Sequence, residues 1–156
     1  MAHASRHNMR FLVDKLSRLS IGWNVRPLDL PDFHKLCRRF RIKVIEMPLT
    51  VGGFYYRVRG KDFIAVDSRL PDRRKLAVLF HELGHYLLHA PESGATASFH
   101  HLAGPTRDEC EADIFALCSL LPRTLIEART INEIVDDGFD RDTIEARYEI
   151  YGRHGL

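Results

Sequence analysis

His81-Glu82-Leu83-Gly84-His85 are the residues of this chain best placed to do chemistry. Two histidines at positions i and i+4 share one face of a helix, where both imidazoles can reach a single Zn²⁺ at about 2.0–2.1 Å. Glu82 then stands where a carboxylate can take a proton from a metal-activated water, so the pattern points to metal-assisted hydrolysis. With nine His and nine Glu in 156 residues, such a pattern would arise by accident roughly 3 times in 100 chains, so its setting has to carry part of the argument.

A catalytic zinc takes three protein ligands and keeps one position open, which requires a further donor downstream. Glu109-Cys110-Glu111-Ala112-Asp113 offers it. Glu109 and Asp113 share a helix face, so Glu109 can bind the metal while Asp113 accepts the free ring N–H of a ligand histidine. Glu111 points about 200° around the helix from Glu109 and is the alternative ligand; both cannot face one ion. His89 extends the run His81, His85, His89, but 81 to 89 spans about 12 Å of helix, too long for three imidazoles to converge. It is expected at the rim of the site or at a helix end, where the dipole favours it. Tyr55, Tyr56 and Tyr148 carry hydroxyls able to steady a developing oxyanion, and Tyr55 and Tyr56 are further rim or substrate candidates. His100 and His101 fall in an irregular segment and read as exposed loop residues.

These side chains need elements to hold them. From Arg73 to His89, Leu76, Val78, Leu79, Leu83, Leu87 and Leu88 recur at near-helical spacing, with Pro71-Asp72 as a start signal and Pro91 as a stop. Asp108 to Leu121 shows a second helical pattern that Pro122 ends. Before the motif helix, the aromatic and β-branched runs Phe54–Arg59 and Phe63–Val66 flank a turn at Gly60-Lys61-Asp62, a hairpin signal. Ile42, Val44 and Glu46 start another strand, stopped by Pro48. Further helices are expected over 8–19, from a cap at Asp32 to Phe40, over 124–135 and over 140–152. The fold class is therefore α+β: a small antiparallel sheet packed with the motif helix and a downstream glutamate-bearing helix. Residues 1–7 read as a flexible end and 8–156 as one domain.

Composition sets the bounds. At 45% apolar content the chain can bury a core, and no stretch approaches the 18 or so apolar residues of a membrane span. No signal-peptide core opens the sequence, and three cysteines without framework spacing read as reduced thiols, so a soluble, cytoplasmic protein is expected. The net charge of +2 hides an asymmetry: residues 1–75 carry 17 Lys and Arg against 7 Asp and Glu, and residues 76–156 carry 6 against 14. Arg38, Arg39, Arg41 and Lys43 span a helix end and a strand rather than one continuous stripe, so direct nucleic-acid binding is not expected.

The hairpin from Gly53 to Val66, the segment from Arg73 to His89 containing His81-Glu82-Leu83-Gly84-His85, and Glu109-Cys110-Glu111-Ala112-Asp113-Ile114-Phe115-Ala116 through Leu121-Pro122 follow one another in an order and spacing that resembles the ImmA/IrrE-type metallopeptidases. The resemblance covers roughly residues 28–122 and pairs two specific motifs. It implies a zincin-like α+β fold, zinc on His81, His85 and Glu109, Glu82 as general base, and Asp113 hydrogen-bonded behind a ligand. Many members cleave or otherwise relieve a helix-turn-helix transcriptional repressor. This sequence shows neither the fused helix-turn-helix domain nor the long C-terminal extension of some members, so the expected substrate is a separate, DNA-binding regulatory protein.

The expected function is that of a cytoplasmic zinc endopeptidase whose sheet edge holds an extended peptide. Its rival is a non-cleaving antirepressor that keeps the zinc scaffold and sequesters its partner. Glu82 discriminates, because a purely structural zinc needs no carboxylate beside an open position.

Overall fold

The computed structural model describes residues 2–89, 96–97 and 106–156, with the backbone alone for 2–8 and 96–97. Pro91, His100 and His101, with nearly all of the expected irregular segment, lie outside the described residues. The chain forms two compact units, one of Met1–Leu28 with Leu117–Leu156 and the other of Asp29–Ala116. Among the described residues no helix is long and apolar enough to cross a membrane.

The Asp29–Ala116 unit begins with the second helix of the chain, α2 (Leu30–Phe40). Its cap is Asp29 rather than Asp32: Asp29 accepts from the Asp32 amide and the Asp32 carboxylate accepts from the Asp29 amide, a reciprocal box that satisfies two otherwise orphaned N–H groups. The helix ends at Arg41, which takes the left-handed conformation at φ 58°. β1 (Lys43–Met47), β2 (Gly53–Val58), β3 (Lys61–Asp67) and the two-residue β4 (Thr96–Ala97) form one sheet in the order β1-β3-β2-β4.

The fold is α+β, but its sheet is mixed, which corrects the wholly antiparallel expectation. β1 runs parallel to β3, with Lys43 opposite Phe63 and Met47 opposite Asp67, while β2 is antiparallel to both β3 and β4. A hairpin turn announces its pairing locally, whereas β1 reaches β3 across the whole of β2. The turn itself is Arg59-Gly60, both at positive φ, 50° and 70°. That is the two-residue connection whose twist matches the flanking strands, and it shifts the turn one residue earlier than Gly60-Lys61-Asp62.

α3 (Asp72–His89) packs on β2 and β3, and α4 (Arg107–Leu120) lies against α3 over its Arg107–Ala116 part. Phe80 is fully buried and links the layers, edge-on to Phe33 of α2 at 5.7 Å and to Phe115 of α4 at 6.1 Å. Such pairs add about 0.5–1.5 kcal/mol beyond the area they bury. Two glycines permit the close approaches. A Cβ on Gly53 would stand 2.7 Å from both the Ala65 carbonyl oxygen and Val78, and one on Gly84 would stand 3.1 Å from the Ala112 Cα and from Phe115. Gly84 therefore sets how near α4 lies to the motif helix.

The other unit is helical. α1 spans Ala2–Ser17, six residues earlier than the apolar stripe alone predicts; Ala2, Ala4 and Arg6 are strong helix formers. The expected helix over 124–135 is two, α5 (Arg123–Ala128) and α6 (Ile131–Asp136). Arg129 turns extended, and Thr130 with Glu133 makes a capping box that restarts the chain. α7 (Arg141–His154) carries Arg147, fully buried, whose Nε donates to the Leu121 carbonyl just beyond α4 and whose Nη2 donates to Asn24. A guanidinium at the negative end of a helix offsets part of its own desolvation. Tyr148 donates to the Ile126 carbonyl within the same unit.

Candidate metal centre

All the residues that matter lie within Asp29–Ala116. Because 3.6 residues make a turn, His81, His85 and His89 fall along one side of α3, and the close Gly84 crossing brings the first turns of α4 to that side. Thr106 caps α4, its hydroxyl accepting from the Glu109 amide at 3.2 Å, which fixes the start from which Glu109 projects.

Donor atoms of three residues converge. His81 Nε2 lies 3.1 Å from His85 Nε2, His81 Nε2 lies 3.2 Å from Glu109 Oε2, and His85 Nε2 lies 3.2 Å from Glu109 Oε1. An ion about 2.0–2.1 Å from each of three ligands at tetrahedral angles would hold those ligands about 3.3 Å apart. The observed spacings of 3.1–3.2 Å are of that size, with His81 facing one Glu109 oxygen and His85 the other. Two imidazole nitrogens and a carboxylate are a donor set for a borderline transition ion rather than for a hard cation that prefers oxygen alone.

Behind these atoms, Asp113 Oδ1 lies 2.8 Å from His81 Nδ1, an acceptor that favours a proton on Nδ1 and so leaves the Nε2 lone pair for an ion. Burial alone would lower the pKa of His81, but the hydrogen bond to Asp113 and the negative charges of Asp113, Glu82 and Glu109 outweigh it, and the net shift is upward from 6.5. The negative field that favours a proton there also favours a divalent cation. Glu82 is buried at 2% exposure and His85 at 3%, so the site is shielded on the α3 side.

His89 turns its two ring nitrogens elsewhere, Nδ1 to His85 Nδ1 at 3.4 Å and Nε2 to Glu111 Oε2 at 2.9 Å. Glu111 also accepts from Arg107 Nε at 2.8 Å. Burial raises the Glu111 pKa, yet its bonds to His89 and Arg107 prevail and hold it below the usual value. Sequence reasoning missed the His89–Glu111 pairing; the signal was the same 200° offset that separates Glu111 from Glu109. Tyr55 is buried, its hydroxyl donating to Asp62 at 2.6 Å, and Arg57 pairs with the same carboxylate at 2.7 Å. Burial, then the Asp62 hydrogen bond, push the Tyr55 pKa well up, which leaves the phenol neutral. Tyr56 stacks on Phe63 at 4.8 Å within the sheet.

Residues 37–150 match the peptidase family described as the IrrE N-terminal-like domain. That is most of the chain, and the chain belongs to this family, so its function is of the metallopeptidase type. No curated protein and no solved structure matches it significantly.

Proposed function

We propose that this member of the IrrE N-terminal-like family is a zinc-dependent endopeptidase of the cytoplasm, acting on a separate helix-turn-helix repressor or a similar regulatory protein. The observation that carries the reading is the convergence of His81 Nε2, His85 Nε2 and the Glu109 carboxylate at 3.1–3.2 Å from one another, beside a buried glutamate on the same helix as the histidines. Zinc fits this donor set, and when bound it would polarise a scissile carbonyl and lower the pKa of a water.

The chain's own residues supply the rest. His81, His85 and Glu109 would hold the ion, and Asp113 would keep His81 in the tautomer that presents Nε2. Glu82 is the general base: it takes a proton from the attacking water and passes it to the amide nitrogen as the C–N bond breaks, so that the products are a carboxylate and an amine. Its burial beside the histidines keeps it short of bulk water, where proton transfer would lose direction. A reducing compartment is the reading that three cysteines without framework spacing favour.

The test uses Glu82→Gln, which removes the base and keeps the size of the side chain. In cells carrying a candidate repressor, the native chain should relieve repression and shorten the repressor, and the variant should do neither. Derepression by Glu82→Gln equal to the native chain, with the repressor full length, would replace the peptidase by a sequestering antirepressor.

A further inference from the structure

We propose that His89 and Glu111 are positioning residues of the metal site: His89 accepts the ring N–H of His85, and Glu111 holds His89 from behind. The inference rests on reading the His81, His85 and Glu109 triangle as a zinc site and adds residues that this reading leaves without a role.

A neutral imidazole has one N–H and one lone pair. Since His85 Nε2 faces the donor triangle, its lone pair has to be there and its proton on Nδ1. The Nδ1 of His89 lies 3.4 Å away, at the long end of hydrogen bonding. For that nitrogen to accept, His89 must carry its own proton on Nε2, and Nε2 is the atom 2.9 Å from the Glu111 carboxylate. The other Glu111 oxygen accepts from Arg107 Nε at 2.8 Å. Arg107 Nε, His89 Nε2 and His85 Nδ1 then each meet an acceptor, and the carboxylate charge is balanced. The opposite assignment, His89 donating to His85, would drive the His85 proton onto Nε2 and into the triangle, where it would block ligation.

The two ligand histidines are thus oriented by different means. Asp113 holds His81 directly from an exposed position, 61% accessible, whereas His85 is held through His89 by a carboxylate only 17% accessible. Outer partners of this kind fix the tautomer and ring angle of a ligand and raise its basicity. His89, Asp108 and Glu111 also bring three donor atoms within 4.8 Å of one another. A second ion there would share Glu111 with the Arg107 guanidinium, whose positive charge on the neighbouring carboxylate oxygen opposes it.

The measurement is the zinc dissociation constant of the purified full chain, by competition with a chromophoric chelator, for the native protein and for His89→Ala, His89→Asn and His89→Gln. His89→Ala should bind one zinc per chain with affinity weakened about 10–100-fold. Asn places an amide oxygen where Nδ1 stood and should restore affinity to within a few-fold; Gln places its amide nearer Nε2, keeps the link to Glu111 and should not. The melting temperatures of the metal-free variants should not follow that order. Native affinity in all three, rescue by Gln rather than Asn, or loss of a second zinc equivalent in His89→Ala would overturn the proposal. Should His89→Ala fail to fold, the Asn and Gln comparison alone decides. A native chain that binds no zinc would instead overturn the peptidase reading itself.

Discussion

Replacing Gly84 by alanine tests how the two site-bearing helices are held together. The added Cβ would lie 3.1 Å from the Ala112 Cα, 3.1 Å from Phe115 Cδ1 and 3.3 Å from the Ala112 carbonyl oxygen. Carbon atoms prefer about 3.5–4.0 Å, so α3 and α4 must part by roughly 0.5 Å. Overpacking of this kind costs about 1–3 kcal/mol, and the better helix propensity of alanine returns about 1 kcal/mol. The net loss should be about 0–2 kcal/mol, a fall in melting temperature of no more than ~8 °C for a chain of this size. Glu109 sits one turn before Ala112 and moves with α4, while its partners His81 and His85 stay on α3. A shift of ~0.5 Å is at the tolerance of a preorganised site, so zinc affinity should fall by about tenfold or more while the metal-free fold changes little. Gly84→Val, with two further methyls and no comparable gain in propensity, should approach the full ~3 kcal/mol and lose more affinity. Gly152 in α7 is the control: nothing lies within 4 Å of its virtual Cβ, and Gly152→Ala should stabilise by about 0.5–1 kcal/mol without touching zinc binding. Calorimetric melting of the metal-free proteins with a chelator-competition titration reads both quantities. Native zinc affinity in Gly84→Ala, whatever its melting temperature, would refute the claim that this crossing places the donors.

Zinc should bind at one equivalent per chain. His81→Ala, His85→Ala and Glu109→Ala should each weaken it by more than the ~100-fold that an outer partner can account for. Glu111→Ala should keep that stoichiometry, and its loss there with retention in Glu109→Ala would reverse the ligand assignment. Acidification should release zinc earlier than an ordinary histidine would allow, because the raised His81 pKa means that a proton competes for its nitrogen from a higher pH downward. In the metal-free chain the same upward shift stabilises the fold below pH 6.5, and that contribution disappears as pH rises through the raised value. Asp113→Asn removes the carboxylate that sustains the shift, so in the metal-free chain the His81 pKa, followed by NMR, should move down. A His81 titration unmoved by Asp113→Asn would contradict the Asp113–His81 pairing.

What could be read in the sequence was whatever depends on local spacing. His81, Glu82 and His85 are arranged by one helix whose apolar positions and flanking Pro71 announce it, and Glu109 with Asp113 by another, so each half of the cluster was visible before the fold was. Their meeting depends on Gly84, which reads in the sequence only as a poor helix former; its use is steric and appears once Ala112 is beside it. β1 was legible as a strand but its parallel partner was not, since no turn connects Lys43–Met47 to Lys61–Asp67 directly. The break between α5 and α6 was written in Thr130 and Glu133, a capping pattern masked by apolar residues on both sides. Arg147 was unreadable for the opposite reason: a charged residue predicts an exposed face, and the carbonyl and amide that receive its guanidinium lie 26 and 123 positions away.

Hydrolysis in ¹⁸O-labelled water tests the central claim most directly. The zinc-loaded chain, incubated with its protein substrate, should generate fragments in which the new C-terminal carboxylate carries one ¹⁸O by mass spectrometry. The chelated protein should generate none, and zinc-loaded Glu82→Gln should cut at least ~100-fold more slowly, the loss expected for a positioned general base. Cleavage that proceeds at the native rate in Glu82→Gln, or that survives complete removal of zinc, would contradict the assignment of this site as a metal-dependent peptidase centre.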